Sequence, residues 1–318
     1  MIYAFAITGP TASGKTSLSL EIAKLYNCEI ICLDSMQIYK KMDIGTAKAT
    51  EEEQRQVKHH MLDFLSPAET FSAKAYKEMA MKCAIDISSS NKTPLFVGGT
   101  GLYLSTLIRP DCEEAPESKA EYREKIEKTL DSEEKKIALH KRLKSIDPEA
   151  AEQIHYNNTR RVIRALEIFD ATGKTKTYFD KLSKAKNDKI EITHLTLDFH
   201  NRENLYDRVN KRVDQMIQLG LFVEVESLLK DGFLSKDSTA GQAIGYKEIV
   251  ESILGKTSKE EAVDNIKQAT RNYAKRQLTW FRNMNDTNTV YMDNPDGTMR
   301  TKDEILNECK QIFSKGKD

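Results

Sequence analysis

The chain opens on a continuous apolar run, residues 3–8, short enough to read as a buried strand rather than one face of a helix. A glycine-rich turn follows, and a helical pattern runs from about residue 15 to 26. A second apolar run, residues 29–33, ends in Asp34-Ser35. A helix is expected over 72–88, then a third strand, residues 94–97, leading into Gly98-Gly99. Strands alternating with helices predict an α/β fold with a parallel sheet flanked by helices on both faces. That rhythm stops after Pro110. Residues 115–189 are charged and helical in pattern, a β-rich run returns at 190–199, and helices follow from about residue 202. The economical reading is a helical domain, 115–189, inserted into a core formed by 1–114 and 190–318.

Composition adds limits. The 318 residues are 39% hydrophobic and 31% charged, which suits a soluble globular protein with a real core. The apolar N-terminal run is too short for a membrane span and lacks a basic flank, so neither membrane insertion nor a signal peptide is expected. Five scattered cysteines (Cys28, Cys32, Cys83, Cys112, Cys309) form no CxxC pair, which argues for reduced thiols in a cytoplasmic protein. Net charge is zero and by itself predicts no nucleic-acid partner. Residues 119–186, however, carry 17 Lys and Arg against 12 Asp and Glu, about +5, so the remainder carries about −5.

The strongest chemical signal is Gly9-Pro10-Thr11-Ala12-Ser13-Gly14-Lys15-Thr16, a complete GxxxxGKT between a strand and a helix. The glycines let consecutive N–H groups turn toward one phosphate, and the helix N-terminus adds its positive dipole end. Lys15 supplies a point charge, and the Thr16 hydroxyl can ligate Mg²⁺. ATP is the default ligand of such a loop, but a reaction that expels diphosphate could use the same cradle. Asp34, at the carboxyl end of the second strand, faces the mouth of that loop. It reads as a general base or magnesium-linked group, or as a turn or cap residue. Gly98-Gly99-Thr100-Gly101 ends the third strand at the same rim, with Thr100 as a donor. The third strand leads through Val97 into glycine and not into the acidic residue that switch-type NTPases use there.

Two basic clusters follow. Arg160, Arg161 and Arg164 open a helix expected to end at Gly173, with Val162, Leu166 and Phe169 as its apolar face. Arginines at a helix N-terminus oppose the macrodipole, so they read either as ligands for phosphate or as a solvated face. In residues 271–282, Lys275, Arg276 and Arg282 interleave with aromatics, as RNA stacking and backbone neutralisation require. Trp280 there is equally a core anchor. Arg208 and Arg212, four apart, share one helical face and either reach phosphates or lie in solvent.

Taken together, the motifs resemble the bacterial-type tRNA dimethylallyltransferases (the IPP transferase family). GPTASGKT (9–16), DSMQIYKKMDIGTAK (34–48), HHMLD (59–63), GGTGLYL (98–104), NTRRVIRALEIF (158–169), DRVNKRVDQMIQLGLFVEV (207–225), QAIGYKE (242–248) and AKRQLTWFR (274–282) resemble family blocks in the expected order. The resemblance implies a P-loop NTPase-like core and a helical insertion that clasps the anticodon stem-loop. It implies transfer of a dimethylallyl group from dimethylallyl diphosphate to the N6 amine of the adenosine 3′ of the anticodon. Residues 9–16 and Arg208 would hold the diphosphate, with Lys15 catalytic and Thr16 on Mg²⁺. Asp34 would be the general base, and Thr100 would contact the reacting end. Asp34, Ser35, Met36, Gln37, Thr100, Arg123, Arg160, Arg161, Arg164, Gln242, Gly245, Tyr246, Lys247, Lys275, Arg276 and Arg282 would line the tRNA side. Some family members have a basic residue where this chain has Gln242, so no charge-based role is carried over there. No C-terminal zinc-finger extension is seen, and a monomeric cytoplasmic enzyme is expected. Motif and composition alone favour a small-molecule or nucleotide kinase, with a non-catalytic RNA-binding NTPase as a third class; the resemblance reverses that order.

Overall fold

The computed structural model describes residues 1–110, 115–116, 119–182, 187–235 and 238–315. The expectations at Cys112, at the 114/115 boundary and over 183–186 lie outside the described residues. Six strands, β1 (Ile2–Thr8), β2 (Cys28–Cys32), β3 (His59–His60), β4 (Thr93–Gly98), β5 (Ile190–Asp198) and β6 (Thr287–Tyr291), form one parallel sheet in the order β3-β2-β4-β1-β5-β6. Helices α1 (Lys15–Leu25), α2 (Glu51–Gln56), α3 (Ala73–Ser89) and α4 (Gly101–Ile108) alternate with the first four strands. Five helices follow: α5 (Ala120–Glu127), α6 (Glu133–Ile146), α7 (Pro148–Gln153), α8 (Thr159–Thr172) and α9 (Lys176–Leu182). After β5 come α10 (Arg202–Gln218), α11 (Leu221–Lys230), α12 (Tyr246–Ile253), α13 (Lys259–Arg282) and, beyond β6, α14 (Lys302–Lys315).

The chain divides into two compact units, one of Met1–Leu107 with Lys189–Asp318 and one of Ile108–Asp188. In the first, strand alternation sends Phe5 and Ile7 of β1 into a core with Leu18 and Ile22 of α1 and Phe313 of α14. Ala4, Ala6 and Phe96 point the other way, toward the side covered by α3, which packs on β1, β2 and β4. Each large side chain buried in this way contributes roughly 1.5–3 kcal/mol. A second core in the same unit joins Ile38, Tyr39 and Met42 to Val213, Leu221, Val225, Tyr246 and Ile266 of α10–α13.

Strands β3 and β6 carry no apolar run and were not expected. β3 is two residues long, and β6 is an edge strand in which only Val290 is buried. Such strands form because a neighbour offers a hydrogen-bonding edge, a cause outside their own sequence.

The second unit has its own core, Leu143, Ala150, Ile154, Val162 and Leu166. Asp147 caps α7 by accepting from Ala150 N–H (3.1 Å) and also accepts from the Thr177 hydroxyl (2.6 Å). Helix α8 ends as expected at Gly173, which takes the left-handed φ of 71°. Its buried face is broader than Val162, Leu166 and Phe169: Ile163, Ala165 and Ile168 are buried, and Phe169 is half-buried.

Candidate active site

The carboxyl ends of β1, β2 and β4 open onto a cavity of about 560 Å³ within the first unit. The sheet order places β4 between β1 and β2, so consecutive strands diverge and leave a crevice where their following loops meet. Residues 9–16 form one wall. Gly9 has φ 143°, and a Cβ there would come within 2.8 Å of the Leu197 carbonyl oxygen, so the loop packs directly on β5. Gly14, at φ 94°, caps α1. The Thr11 N–H donates to Gln277 and the Ser13 N–H to Pro10, whereas the first-turn N–H groups of Lys15, Thr16 and Ser17 have no backbone acceptor among the described residues. Those free donors and the helix dipole make an anion cradle.

Lys15 folds over the loop, donating to the carbonyls of Gly9 (3.0 Å) and Pro10 (2.7 Å). Burial lowers its pKa to about 7, with Asp34 opposing and Arg212 adding to that shift. An anion in the cradle would restore the charge. At pH 8 the protein should therefore take up roughly one proton more per inorganic diphosphate than Lys15→Met does. The difference should vanish near pH 6, where Lys15 is already charged. Calorimetry in buffers of different ionisation heat measures it; equal uptake by the two proteins would refute the assignment.

Asp34 lies opposite, half-buried, just beyond β2. Its Oδ1 accepts from the N–H groups of Met36 (2.8 Å) and Gln37 (3.4 Å), and Oδ2 has no partner among the described residues. The turn and the base readings therefore coexist, one on each oxygen. Burial raises its pKa above the ordinary carboxylate value, while Met36 N–H and Lys15 restrain the rise. Thr100 supports this rim rather than lining the cavity: its hydroxyl accepts from Ser35 N–H (3.0 Å) and donates to Ser35 Oγ (3.4 Å). Gly98 must be glycine, because a Cβ there would stand 2.1 Å from the Leu33 carbonyl oxygen.

The remaining wall comes from α10–α13. Arg208 donates from Nε to the Ala12 carbonyl (2.8 Å), so it grips the loop itself. One turn on, Arg212 lines the cavity with a buried Nε that has no partner among the described residues. Burial lowers its pKa, with Glu53 opposing and Arg208 reinforcing. Beyond it the wall is apolar: Val213, Met216, Leu221, Ile244 and Ile266. Gln277 of α13 also lines the cavity, with its Oε1 taking the Thr11 N–H (2.8 Å) and its Nε2 donating to the Gly99 carbonyl (3.0 Å).

Other expected site residues divide. Ser35, Met36, Gln37, Gln242, Gly245, Tyr246 and Arg276 line this cavity. Several of them hold its walls. Gln37 Nε2 donates to the Thr46 (3.0 Å) and Ala47 (3.2 Å) carbonyls. Tyr246 is fully buried and donates to Glu224 (2.6 Å), whose carboxylate accepts the N–H groups of Asp43, Ile44 and Gly45. Lys247 and Lys275 are exposed. Arg282 spends its guanidinium on buried Asp198 (2.7 and 2.8 Å), tying α13 to β5. In the second unit Arg160 and Arg161 are exposed, whereas Arg164 pairs with buried Glu167 (2.8 Å) and donates to the Pro116 carbonyl. Arg123 is half-buried, its Nε without a partner among the described residues. Trp280 is 40% exposed, its ring over Gly101, and so anchors α4 rather than the core.

Comparison with known proteins identifies the family. The family model described as IPP transferase matches residues 37–284. A tRNA dimethylallyltransferase of Thermoanaerobacter sp. (strain X514) is 44% identical over 301 residues, covering 94% of this chain and 95% of that one. One from Bacillus velezensis is 46% identical over 309 residues, 95% of each. The crystal structure of a tRNA isopentenylpyrophosphate transferase from Bacillus halodurans superposes with a TM-score of 0.72 at 39% identity, covering 99% of this chain and 97% of that one. A eukaryotic dimethylallyltransferase captured acting on tRNA gives 0.80 at 27% identity, covering 98% of this chain and 78% of that one. With its phosphate loop, carboxylate rim and parallel sheet in one frame, the chain belongs to the IPP transferase family.

Proposed function

We propose that the protein transfers a dimethylallyl group from dimethylallyl diphosphate to the N6 amine of the adenosine immediately 3′ of the anticodon in tRNA. The carrying observation is an apolar wall (Val213, Met216, Leu221, Ile266) sharing one cavity with an anion cradle and a carboxylate with one free oxygen. A prenyl diphosphate presents that combination of a charged head and an apolar tail; the relatives' shared name supports the same choice.

In the reaction, a bond forms between N6 and the allylic carbon while that carbon's bond to the diphosphate oxygen breaks. The N6 proton, acidified as the amine lone pair is used, passes to Asp34 Oδ2. Lys15, Arg208, Arg212 and the first-turn N–H groups of α1 meet the charge that builds on diphosphate. Preorganised donors of this kind are worth roughly 3–4 kcal/mol each. Magnesium suits the Thr16 hydroxyl, a hard oxygen lining the cavity without a protein partner among the described residues. Thr16 would hold the ion, which when bound supplies positive charge against the leaving diphosphate.

Exposed Arg160 and Arg161 are proposed as phosphate contacts to the tRNA; Arg164 is proposed to hold α8 in place. Arg161→Ala should weaken tRNA binding and flatten the salt dependence of log K by about one unit of slope, whereas Arg164→Ala should lower melting temperature first. Equal salt slopes for wild type and Arg161→Ala would remove that contact. We place the enzyme in the cytoplasm as a monomer, in keeping with a tRNA substrate; among the described residues no helix is long and apolar enough to cross a membrane.

The test is one incubation with Mg²⁺, dimethylallyl diphosphate and an unmodified anticodon stem-loop, read by mass spectrometry. A dimethylallyl adduct on the expected adenosine is the predicted result. No adduct there, with phosphate transfer when ATP is supplied instead, would restore the kinase reading.

A further inference from the structure

We propose that Gln277 is a positioning residue that fixes the diphosphate loop and the rim beside Asp34 in a single register; the inference rests on the prenyl-transfer reading above. The two loops leave different strands, β1 and β4, and neither N–H of Thr11 nor carbonyl of Gly99 is paired within the sheet. One planar carboxamide satisfies both, because its oxygen accepts while its nitrogen donates. Gln277 is 5% exposed and its bond to the Gly99 carbonyl is buried, so losing that donor leaves a buried polar group unpaired.

The carboxamide is itself held rigidly. Helix α13 is 24 residues long and packs Ile266 into one core and Ala274 and Leu278 into the other. Gly99 is fitted to it: a Cβ there would lie 2.1 Å from Gln277 Nε2, so any side chain at 99 would expel the amide. One turn before Gln277, Tyr273 interacts with both Gln277 and Thr100. Thr100 in turn holds Ser35, the neighbour of Asp34. The path from cradle to base thus runs Thr11, Gln277, Gly99 and Thr100, Ser35, Asp34. Transfer needs the allylic carbon, set by the diphosphate, and the base, set by the rim, within a near-attack distance. Each loop alone binds its own ligand; only their register makes turnover.

The test compares Gln277→Met, which removes both bonds, with Gln277→Glu, which keeps the acceptor for Thr11 and loses the donor to Gly99. Gln277→Met should lose about tenfold to a hundredfold in kcat, while KM for tRNA and affinity for inorganic diphosphate stay within about threefold. Gln277→Glu should also be slow at neutral pH. Its rate relative to wild type should rise as pH falls, because a protonated carboxyl donates to Gly99 as the amide does. That recovery separates a register from a purely structural role, and it remains readable if the Met variant fails to fold. Wild-type kcat in the folded variants, no relative recovery of Gln277→Glu at low pH, or a loss of diphosphate affinity equal to the loss of kcat, overturns the proposal. A wild type that transfers nothing would defeat the reaction reading instead. Register is then read by amide exchange: inorganic diphosphate should slow exchange at Thr100 in wild type but not in Gln277→Glu, and equal slowing in both overturns it.

Discussion

Asp34→Asn should lower turnover by about 10²- to 10⁴-fold while leaving tRNA and diphosphate affinity nearly unchanged. Asparagine is the informative substitution because its Oδ1 can keep the bonds from Met36 and Gln37 N–H that shape the turn. Only the proton acceptor at Oδ2 is lost. The pH dependence has a definite sign. The base must be ionised, so wild-type turnover should fall as pH drops through the pKa of Asp34. Burial raises that pKa, so the acid limb should lie above the ordinary carboxylate range, and Asp34→Asn should lack it. Stability moves the opposite way. A carboxyl whose folded pKa is raised stabilises the fold only while protonated, and that contribution is lost as pH rises through the folded value. At neutral pH Asp34→Asn should therefore melt no lower than wild type. Wild-type turnover in single-turnover kinetics would exclude Asp34 as the base.

The second large effect is expected at Arg212. Arg212→Met should cut kcat/KM for the prenyl diphosphate by about 10²- to 10³-fold, the loss of one preorganised donor to developing charge. The same substitution should raise the melting temperature of the free protein. Arg212 keeps a buried Nε without a partner among the described residues, and its charge sits beside Arg208 and Lys15. A methionine of similar length removes that desolvation penalty. The opposite signs are the signature of a residue kept for its ligand. A variant both less stable and normally active would show Arg212 to be a packing residue. Arg208, whose Nε already holds the Ala12 carbonyl, should lose both stability and donor affinity when shortened.

Much of the phosphate site was legible along the chain, because its residues are consecutive. The GxxxxGKT loop needs only a strand before it and a helix after it, and β1 and α1 begin and end within about two residues of the pattern-based bounds. Asp34 and Gly98-Gly99 were found by the same logic, each standing just past an apolar run. The cradle, the rim and the parallel sheet follow from local hydrophobic pattern and backbone chemistry. The family is legible for a different reason: eight blocks in order constrain the chain more than any one motif does.

What the sequence left open was decided by contacts between distant segments. Nothing local distinguishes Arg282 from Arg276, yet a buried Asp198 claims the first, and the second lines the cavity. Arg160 and Arg164 lie on one helix a turn apart, and only the path of the chain near Pro116 and the burial of Glu167 separate an exposed guanidinium from a committed one. Tyr246, which the resemblance puts on the tRNA side, lines the cavity as a buried strut for the turn at Asp43–Gly45, through Glu224. Gln277 carries no periodic or compositional mark; its two bonds join residues 266 and 178 positions away. Local sequence determined which backbone could hold a phosphate and where a carboxylate would stand. The tertiary structure alone decided which charges stay free to act, because a buried side chain is committed by whichever partner the fold brings within hydrogen-bond reach.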